Sequence, residues 1–275
     1  MKYPFYSPRV ILEVLKESKG SIQKKLGQNF LIDPNYIEKI SNAIRERIPN
    51  KADVLEIGPG LGALSHKLIE NYNLYCVEID PILTKILKNI LSDINVVNLD
   101  ILEYLDKNKE NEFLYFVGNL PYYITTDILV KVIQLKNQTP KKCIFLVQKE
   151  YADKLLEKGN SISIFIHNFA EVNRILKVPK SSFFPKPKVE SALIELNLFE
   201  KEKCDALVLE KVLRMSFRGK RKKMINSWLM GEEILPIPIL VAASQLLGID
   251  INLRAEEIDP NLYYQLAQKI RHPIN

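Results

Sequence analysis

Cysteine and histidine are scarce in this chain, three of each in 275 residues, and tryptophan occurs once. Cys76, Cys143 and Cys204 lie far apart, so neither a disulfide framework nor a Cys-x-x-Cys zinc site is expected, and the thiols read as buried and reduced. His66, His167 and His272 have no metal-ligand spacing either, so the expected chemistry is metal-free. No apolar run approaches the roughly 20 residues that span a bilayer. The N-terminus carries Lys2, Arg9, Glu13, Lys16 and Glu17 and lacks the core of a signal peptide. Internal repeats and low-complexity segments are also missing. These absences describe a cytoplasmic chain, away from membranes, long enough for one large domain and a smaller one.

What is present is an excess of positive charge, +6 with a pI near 9.0, which suits a polyanionic partner. Val10, Ile11, Val14 and Leu15 have helical spacing, and Asp33 ahead of Pro34 caps a helix expected to run to about Arg47. Short apolar strands then alternate with helical stretches, the signature of a parallel sheet built from βαβ units. Five strands are expected at 54–57, 74–79, 95–99, 114–117 and 143–147. Two more, at 172–178 and 189–196, straddle a Pro-rich loop as a closing antiparallel hairpin and bring the sheet to seven strands. Beyond Phe199 the signals are helical, at 204–215, 222–229, 239–247 and 260–270, so a domain boundary is expected near residue 198.

The first of these strands runs into Gly58, Pro59, Gly60, Leu61 and Gly62, after which residues 63–70 should be helical. A strand, a Gly-rich turn and a helix form a nucleotide site, because missing Cβ atoms let a ligand approach the backbone. The next strand ends at Glu78, near the 20-residue distance at which a carboxylate can bond both hydroxyls of a ribose. A third ends at Asp100, which could accept an adenine amine, and the fourth reaches Asn119, Leu120, Pro121 and Tyr122. Polar groups thus gather at the carboxyl ends of four strands, where open α/β sheets bind ligands.

A dinucleotide dehydrogenase would use the glycines and Glu78 but has no use for Asn119 to Tyr122. Methylation of an exocyclic amine does. The lone pair of adenine N6 is delocalised into the ring; the side-chain oxygen of Asn119 and the carbonyl of Leu120 could accept the two N6 hydrogens and steer that lone pair outward. Pro121 would hold the carbonyl still, and Tyr122 offers a face for an extruded base. The methyl donor that explains the whole set is S-adenosylmethionine.

Together these residues closely resemble the rRNA adenine N6,N6-dimethyltransferase family, which modifies two adjacent adenosines near the 3′ end of small-subunit rRNA. The likeness runs from about residue 24 to 230. It takes in the run from Leu26 to Leu31, the turn from Glu56 to Gly62, Glu78, Asp100 and the run from Asn119 to Tyr122. Phe183, Pro185, Pro187, Lys188, Val189, Ser191 and Ala192 match the family's Pro-rich motif, and 218–223 its basic stretch. The resemblance implies a Rossmann-like S-adenosylmethionine-dependent methyltransferase sheet over residues 1–198, with an extension at 1–23, and a helical RNA-binding domain over 199–275. It implies that Asn29 and Leu31 touch the methionine part of the cofactor and that Gly58 and Gly60 lie against the cofactor, that Glu78 binds ribose and Asp100 the adenine amine, and that Asn119 serves both cofactor and target base. Phe183 would stack on that base opposite Tyr122. The extension has no role from the resemblance and reads as packing on the main domain.

Arg214, Arg218, Lys220, Arg221, Lys222 and Lys223 form the densest basic cluster, and Lys24, Lys25, Lys186 and Lys188 would add to the phosphate-binding surface. The expected partner is small-subunit rRNA within a pre-ribosomal particle, bound by a monomer. A large-subunit rRNA adenine methyltransferase of the macrolide-resistance type and a non-catalytic assembly factor stay open as alternatives; a DNA adenine methyltransferase is disfavoured, since nothing resembles a separate target-recognition domain.

Overall fold

The computed structural model of the protein describes residues 3–107, 113–135, 140–219, 221–231 and 233–271. Lys220 and His272 therefore lie outside the described residues. The strands are β1 (Phe30–Leu31), β2 (Asp53–Ile57), β3 (Asn73–Glu78), β4 (Asn95–Asn98), β5 (Tyr115–Asn119), β6 (Lys142–Gln148), β7 (Ala170–Val178), β8 (Phe183–Phe184) and β9 (Ser191–Leu198). Seven of them form one sheet in the order β4-β3-β2-β5-β6-β9-β7. The five strands from β4 to β6 are parallel, and β9 runs antiparallel to β6. Residues 54–57 and 143–147 are all buried, as strands covered on both faces require.

The order dictates where a ligand can sit. From β2 the chain steps outward through β3 to β4, then returns to the other side of β2 as β5. The sheet's switch point therefore lies between the ends of β2 and β5, which carry the glycine turn and Asn119. The small sheet β1·β8 pairs Phe30 with Phe184 and Leu31 with Phe183, so two sequence motifs far apart in the chain meet through their backbones.

Caps set the helices as the sequence suggests. The Asp33 carboxylate accepts from the N–H groups of Asn35 and Tyr36 at the head of Pro34–Arg45, and Asp80 does the same for Ile82 and Leu83 at Pro81–Ile90. The helix expected over 63–70 is shorter, Ser65–Leu68, with turns on either side. Its length is limited because Asn73 must already pair with Asp53 at the start of β3. The amphipathic N-terminal segment is the helix Pro8–Glu17, whose Ile11 and Leu15 pack with Tyr3, Phe5, Phe30, Leu61, Leu83 and Ile86.

The contacts divide the chain into two compact units, residues 1–152 with 173–198, and residues 153–172 with 199–275. The first holds the cleft described below. The second contains the helices Ser161–Ile166, Ala206–Ser216, Met224–Trp228, Ile237–Leu246 and Pro260–Arg271. Residues 153–172 belong there because the Asn168 side chain accepts the Cys204 N–H at 2.9 Å and donates to its carbonyl at 3.0 Å. The Tyr264 hydroxyl likewise donates to the Ile164 carbonyl at 2.9 Å, and buried Trp228 donates to Ser216 Oγ at 2.9 Å. Among the described residues no helix is long and apolar enough to cross a membrane, and no cluster of His, Cys, Asp and Glu could hold a metal ion.

Candidate active site

A solvent-open cleft lies over the switch point. Its floor is the turn after β2. Gly62 has φ +83°, and a Cβ there would stand 2.6 Å from Leu87 Cδ1, so the turn admits only glycine at this point. At Gly58, φ +63°, a Cβ would project toward the end of β5, 4.0 Å from the Asn119 carbonyl oxygen. The missing side chain leaves that space open, with backbone on both sides.

Carboxylates line one flank. Glu78, at the end of β3 and buried, accepts the Gly60 N–H on Oε2 and the Asp80 N–H on Oε1, both at 2.9 Å. These backbone donors fix the carboxylate at the edge of the cleft. Burial pushes the Glu78 pKa above the usual carboxylate range. Asp100 follows β4, where Oδ1 accepts the Leu102 N–H at 2.7 Å, and its carboxylate also faces the cleft. Glu56, deeper in β2, accepts from Ser65 Oγ at 2.7 Å, and burial raises its pKa to about 7.

The opposite flank is the segment after β5. Asn119 Nδ2 donates to the Asn29 carbonyl at 3.0 Å. A carbonyl can only accept, so the nitrogen must face Asn29 and the side-chain oxygen is left for a ligand. Leu120 is buried and its N–H continues toward β6, donating to the Leu146 carbonyl at 3.0 Å. Among the described residues no donor reaches the Leu120 carbonyl, whereas the Pro121 carbonyl takes the Thr125 hydroxyl at 3.0 Å and the Ile124 N–H at 3.3 Å. Tyr122 is held by its hydroxyl, 2.7 Å from Ser191 Oγ on β9, and Tyr123 is 52 % exposed with its ring against Gly27.

The structure thus brings Asn29, Leu31, Gly58, Gly60, Glu78, Asp100, Asn119, Leu120, Pro121 and Tyr122 to one cleft. It does not bring Phe183 there. That ring is only 2 % exposed, in the core with Leu31, Ile37, Val178 and Leu193, because its strand pairs β8 with β1 and turns the side chain inward. The expectation that Phe183 stacks on a base opposite Tyr122 is corrected accordingly.

The basic residues fall on both units and all those described are exposed. Lys24 and Lys25 begin the 3-10 turn before the cleft loop, and Lys186 and Lys188 lie between β8 and β9. In the second unit Arg214, Arg218, Arg221, Lys222 and Lys223 surround the turn ahead of Met224–Trp228. Arg218 is already paired with Glu233 at 2.7 Å, whereas among the described residues Arg214, Arg221, Lys222 and Lys223 have no ion pair.

Sequence reasoning missed two features of the cleft. Gln28 Nε2 donates to Asp80 Oδ2 at 2.8 Å, which ties the loop before β1 to the exit of β3. Asp80 thereby serves as helix cap and loop anchor at once; the Asp-Pro cap was the only signal visible. Tyr3, from the extension, also lines the cleft.

Comparison with known proteins identifies relatives over the whole length. The family model described as ribosomal RNA adenine dimethylase matches residues 20–272. A protein named ribosomal RNA small subunit methyltransferase A from Alkaliphilus oremlandii is 31 % identical over 96 % of this chain and 97 % of its own. One of the same name from Mycoplasma mobile is 33 % identical over 88 % and 96 %. Among solved structures, a dimethyladenosine transferase from Plasmodium falciparum has the same fold, with a TM-score of 0.70 at 23 % identity over 85 % of this chain and 94 % of that one. The 23S rRNA methyltransferase ErmE superimposes with a TM-score of 0.65 at 25 % identity, over 88 % of this chain and 100 % of that one.

Proposed function

The chain belongs to the ribosomal RNA adenine dimethylase family, and from that premise we propose that it dimethylates N6 of two adjacent adenosines near the 3′ end of small-subunit rRNA. The observation that carries the reading is the fixed orientation of Asn119, whose nitrogen is held by the Asn29 carbonyl and whose oxygen is left for a ligand in the cleft that Leu120, its carbonyl without a donor among the described residues, also lines. Two such acceptors match the two hydrogens of an exocyclic amine. S-adenosylmethionine, the cofactor, supplies an electrophilic methyl group on a sulfonium that leaves as a neutral thioether.

The residues of the cleft fit that cofactor. Glu78 presents a fixed carboxylate to a ribose diol, and Asp100 offers an acceptor for an adenine amine. The open space at Gly58 admits a ligand between β2 and β5. Asn29 and Leu31 approach from the loop and β1, and Gly60 brings its own N–H to Glu78.

At the target, the Asn119 oxygen and the Leu120 carbonyl accept the N6 hydrogens and so turn the nitrogen lone pair toward the methyl group. Tyr122, anchored through Ser191, provides the face on which a flipped adenine rests. The proton released on methylation passes to water, and no general base is assigned. After one transfer a single N6 hydrogen remains, so one acceptor suffices to orient the amine for the second.

The second unit binds RNA through Arg214, Arg218, Arg221, Lys222 and Lys223, and Lys24, Lys25, Lys186 and Lys188 contact phosphates from the catalytic unit. The protein acts as a cytoplasmic monomer on a pre-ribosomal small subunit. Labelled S-adenosylmethionine offered with under-methylated small subunits and, separately, with large-subunit rRNA tests the assignment by primer extension. Label on adjacent adenosines near the 3′ end of small-subunit rRNA is expected. Label in large-subunit rRNA would move the chain to the activity in ErmE's name, and cofactor binding without transfer would make it an assembly factor.

A further inference from the structure

Tyr3 combines three properties that ordinary packing does not require. It is 6 % exposed, it lines the cleft, and among the described residues its hydroxyl has no hydrogen-bond partner. The hydroxyl oxygen is not one of the enclosed polar atoms left without a partner, so it is accessible at the cleft that Tyr3 lines and is free to meet a ligand there.

The ring is held firmly. It stacks on the His66 imidazole with centroids 3.9 Å apart and planes 3° from parallel, and Phe5 and Tyr6 meet it edge-on at 5.5 and 5.1 Å. His66 is itself fixed: Nδ1 donates to the Gly62 carbonyl at 3.0 Å and Nε2 accepts the Tyr6 hydroxyl at 3.3 Å. Both bonds suit a neutral imidazole, and burial lowers the His66 pKa in the same direction. Phe5, Ile11 and Leu15 anchor the segment in the cluster with Phe30 and Leu61. Burial and the nearby charges of Tyr6 and Glu56 raise the Tyr3 pKa, which keeps the phenol a donor at neutral pH.

The position selects which part of a ligand it meets. Asp100 and Glu78 mark the ends of β4 and β3, Asn119 the end of β5. Tyr3 instead adjoins Glu56 and the helix that follows the glycine turn, beyond the ribose site. On the cofactor reading given above, the part that reaches this side of the cleft is the amino-acid end, which Asn29 and Leu31 would meet as well. We propose that Tyr3 is a cofactor-positioning residue whose hydroxyl donates to the α-carboxylate at the amino-acid end of S-adenosylmethionine. The segment that carries it precedes residue 20, where the match to the family model begins, so on this proposal the N-terminal segment forms a wall of the cofactor site.

Tyr3→Phe removes the hydroxyl and keeps the stacked ring, so the fold is retained and the ligand-free unfolding midpoint should not move. Calorimetric titration with S-adenosylhomocysteine, and with methylthioadenosine, which lacks the amino-acid end, isolates the contact. A lost bond to a charged group should weaken S-adenosylhomocysteine about tenfold or more and leave methylthioadenosine within about twofold. In turnover, KM for S-adenosylmethionine should rise while kcat stays, as for a contact equal in ground and transition states. His66→Ala, which removes the ring's support, should produce the same discrimination in weaker form. Equal weakening of both ligands, or of neither, overturns the proposal. If the unaltered protein binds neither ligand, the cofactor reading itself fails, a result distinct from a Tyr3 variant that binds both as well as the parent.

Discussion

Replacing Asn119 by alanine separates chemistry from binding. In the structure the side chain does two things: its nitrogen meets the Asn29 carbonyl at 3.0 Å, and its oxygen is left facing the cleft. Losing the first costs about 1 kcal/mol of stability, because the Asn29 carbonyl borders the cleft and water can replace the lost donor. Losing the second removes a preorganised acceptor from the reacting amine. Such groups are worth about 100- to 1,000-fold in kcat, or roughly 3 to 4 kcal/mol. Cofactor affinity should change only a few-fold, since Glu78 and Asp100 lie on other strands and keep their own backbone donors. Single-turnover methyl transfer to under-methylated small subunits, with cofactor binding measured by calorimetry on the same sample, reads both quantities. Asn119→Asp should be equally inactive, because it sets a carboxylate oxygen against the Asn29 carbonyl where a donor is needed. A folded Asn119→Ala protein that keeps more than a tenth of the parent rate would refute the assignment of this side chain.

Three further outcomes follow from other parts of the molecule. Tyr122→Ala should weaken transfer by the worth of one base stack, about 1 to 3 kcal/mol, whereas Tyr122→Phe, which loses only the bond to Ser191, should fall far less; equal losses would deny the stacking role. The Glu56 carboxyl rises from an ordinary 4.5 to about 7 on folding, so the folded form holds that proton more tightly than the unfolded chain. Its contribution to stability is complete below pH about 4.5 and is lost as pH rises through about 7, by about 3 kcal/mol, and Glu56→Gln should flatten that slope in denaturant titrations at several pH values. Neutralising Arg221, Lys222 and Lys223 should make the salt dependence of rRNA binding shallower, by roughly 0.7 in the log–log slope for each phosphate contact removed; an unaltered slope would place the RNA elsewhere.

The parallel strands were legible because most are short apolar runs bounded by turn residues, and period and turn chemistry survive in a single sequence. The cofactor flank was legible for the same reason: Gly58, Glu78, Asp100 and Asn119 all follow strand ends, and the parallel order carries strand ends to one edge. What sequence could not convey was side-chain direction on irregular segments. Phe183 and Phe184 are adjacent aromatics in a Pro-rich run, and only the pairing of β8 with β1 decides that Phe183 turns into the core. Gln28 and Asp80 are 52 residues apart, and nothing in either neighbourhood announces their bond. Tyr3 sits among charges and aromatics with no period to read, and its relation to His66 exists only in three dimensions. Residues 153–172 carry no boundary signal at either end, yet Asn168 commits them to the helical unit through Cys204.

The most direct test is nucleoside analysis of small subunits that lack the modification, after incubation with the protein and labelled S-adenosylmethionine. The account predicts N6,N6-dimethyladenosine, two per particle, with N6-methyladenosine appearing only in passing. Label that stops at N6-methyladenosine, or that enters any nucleoside other than adenosine, would contradict it.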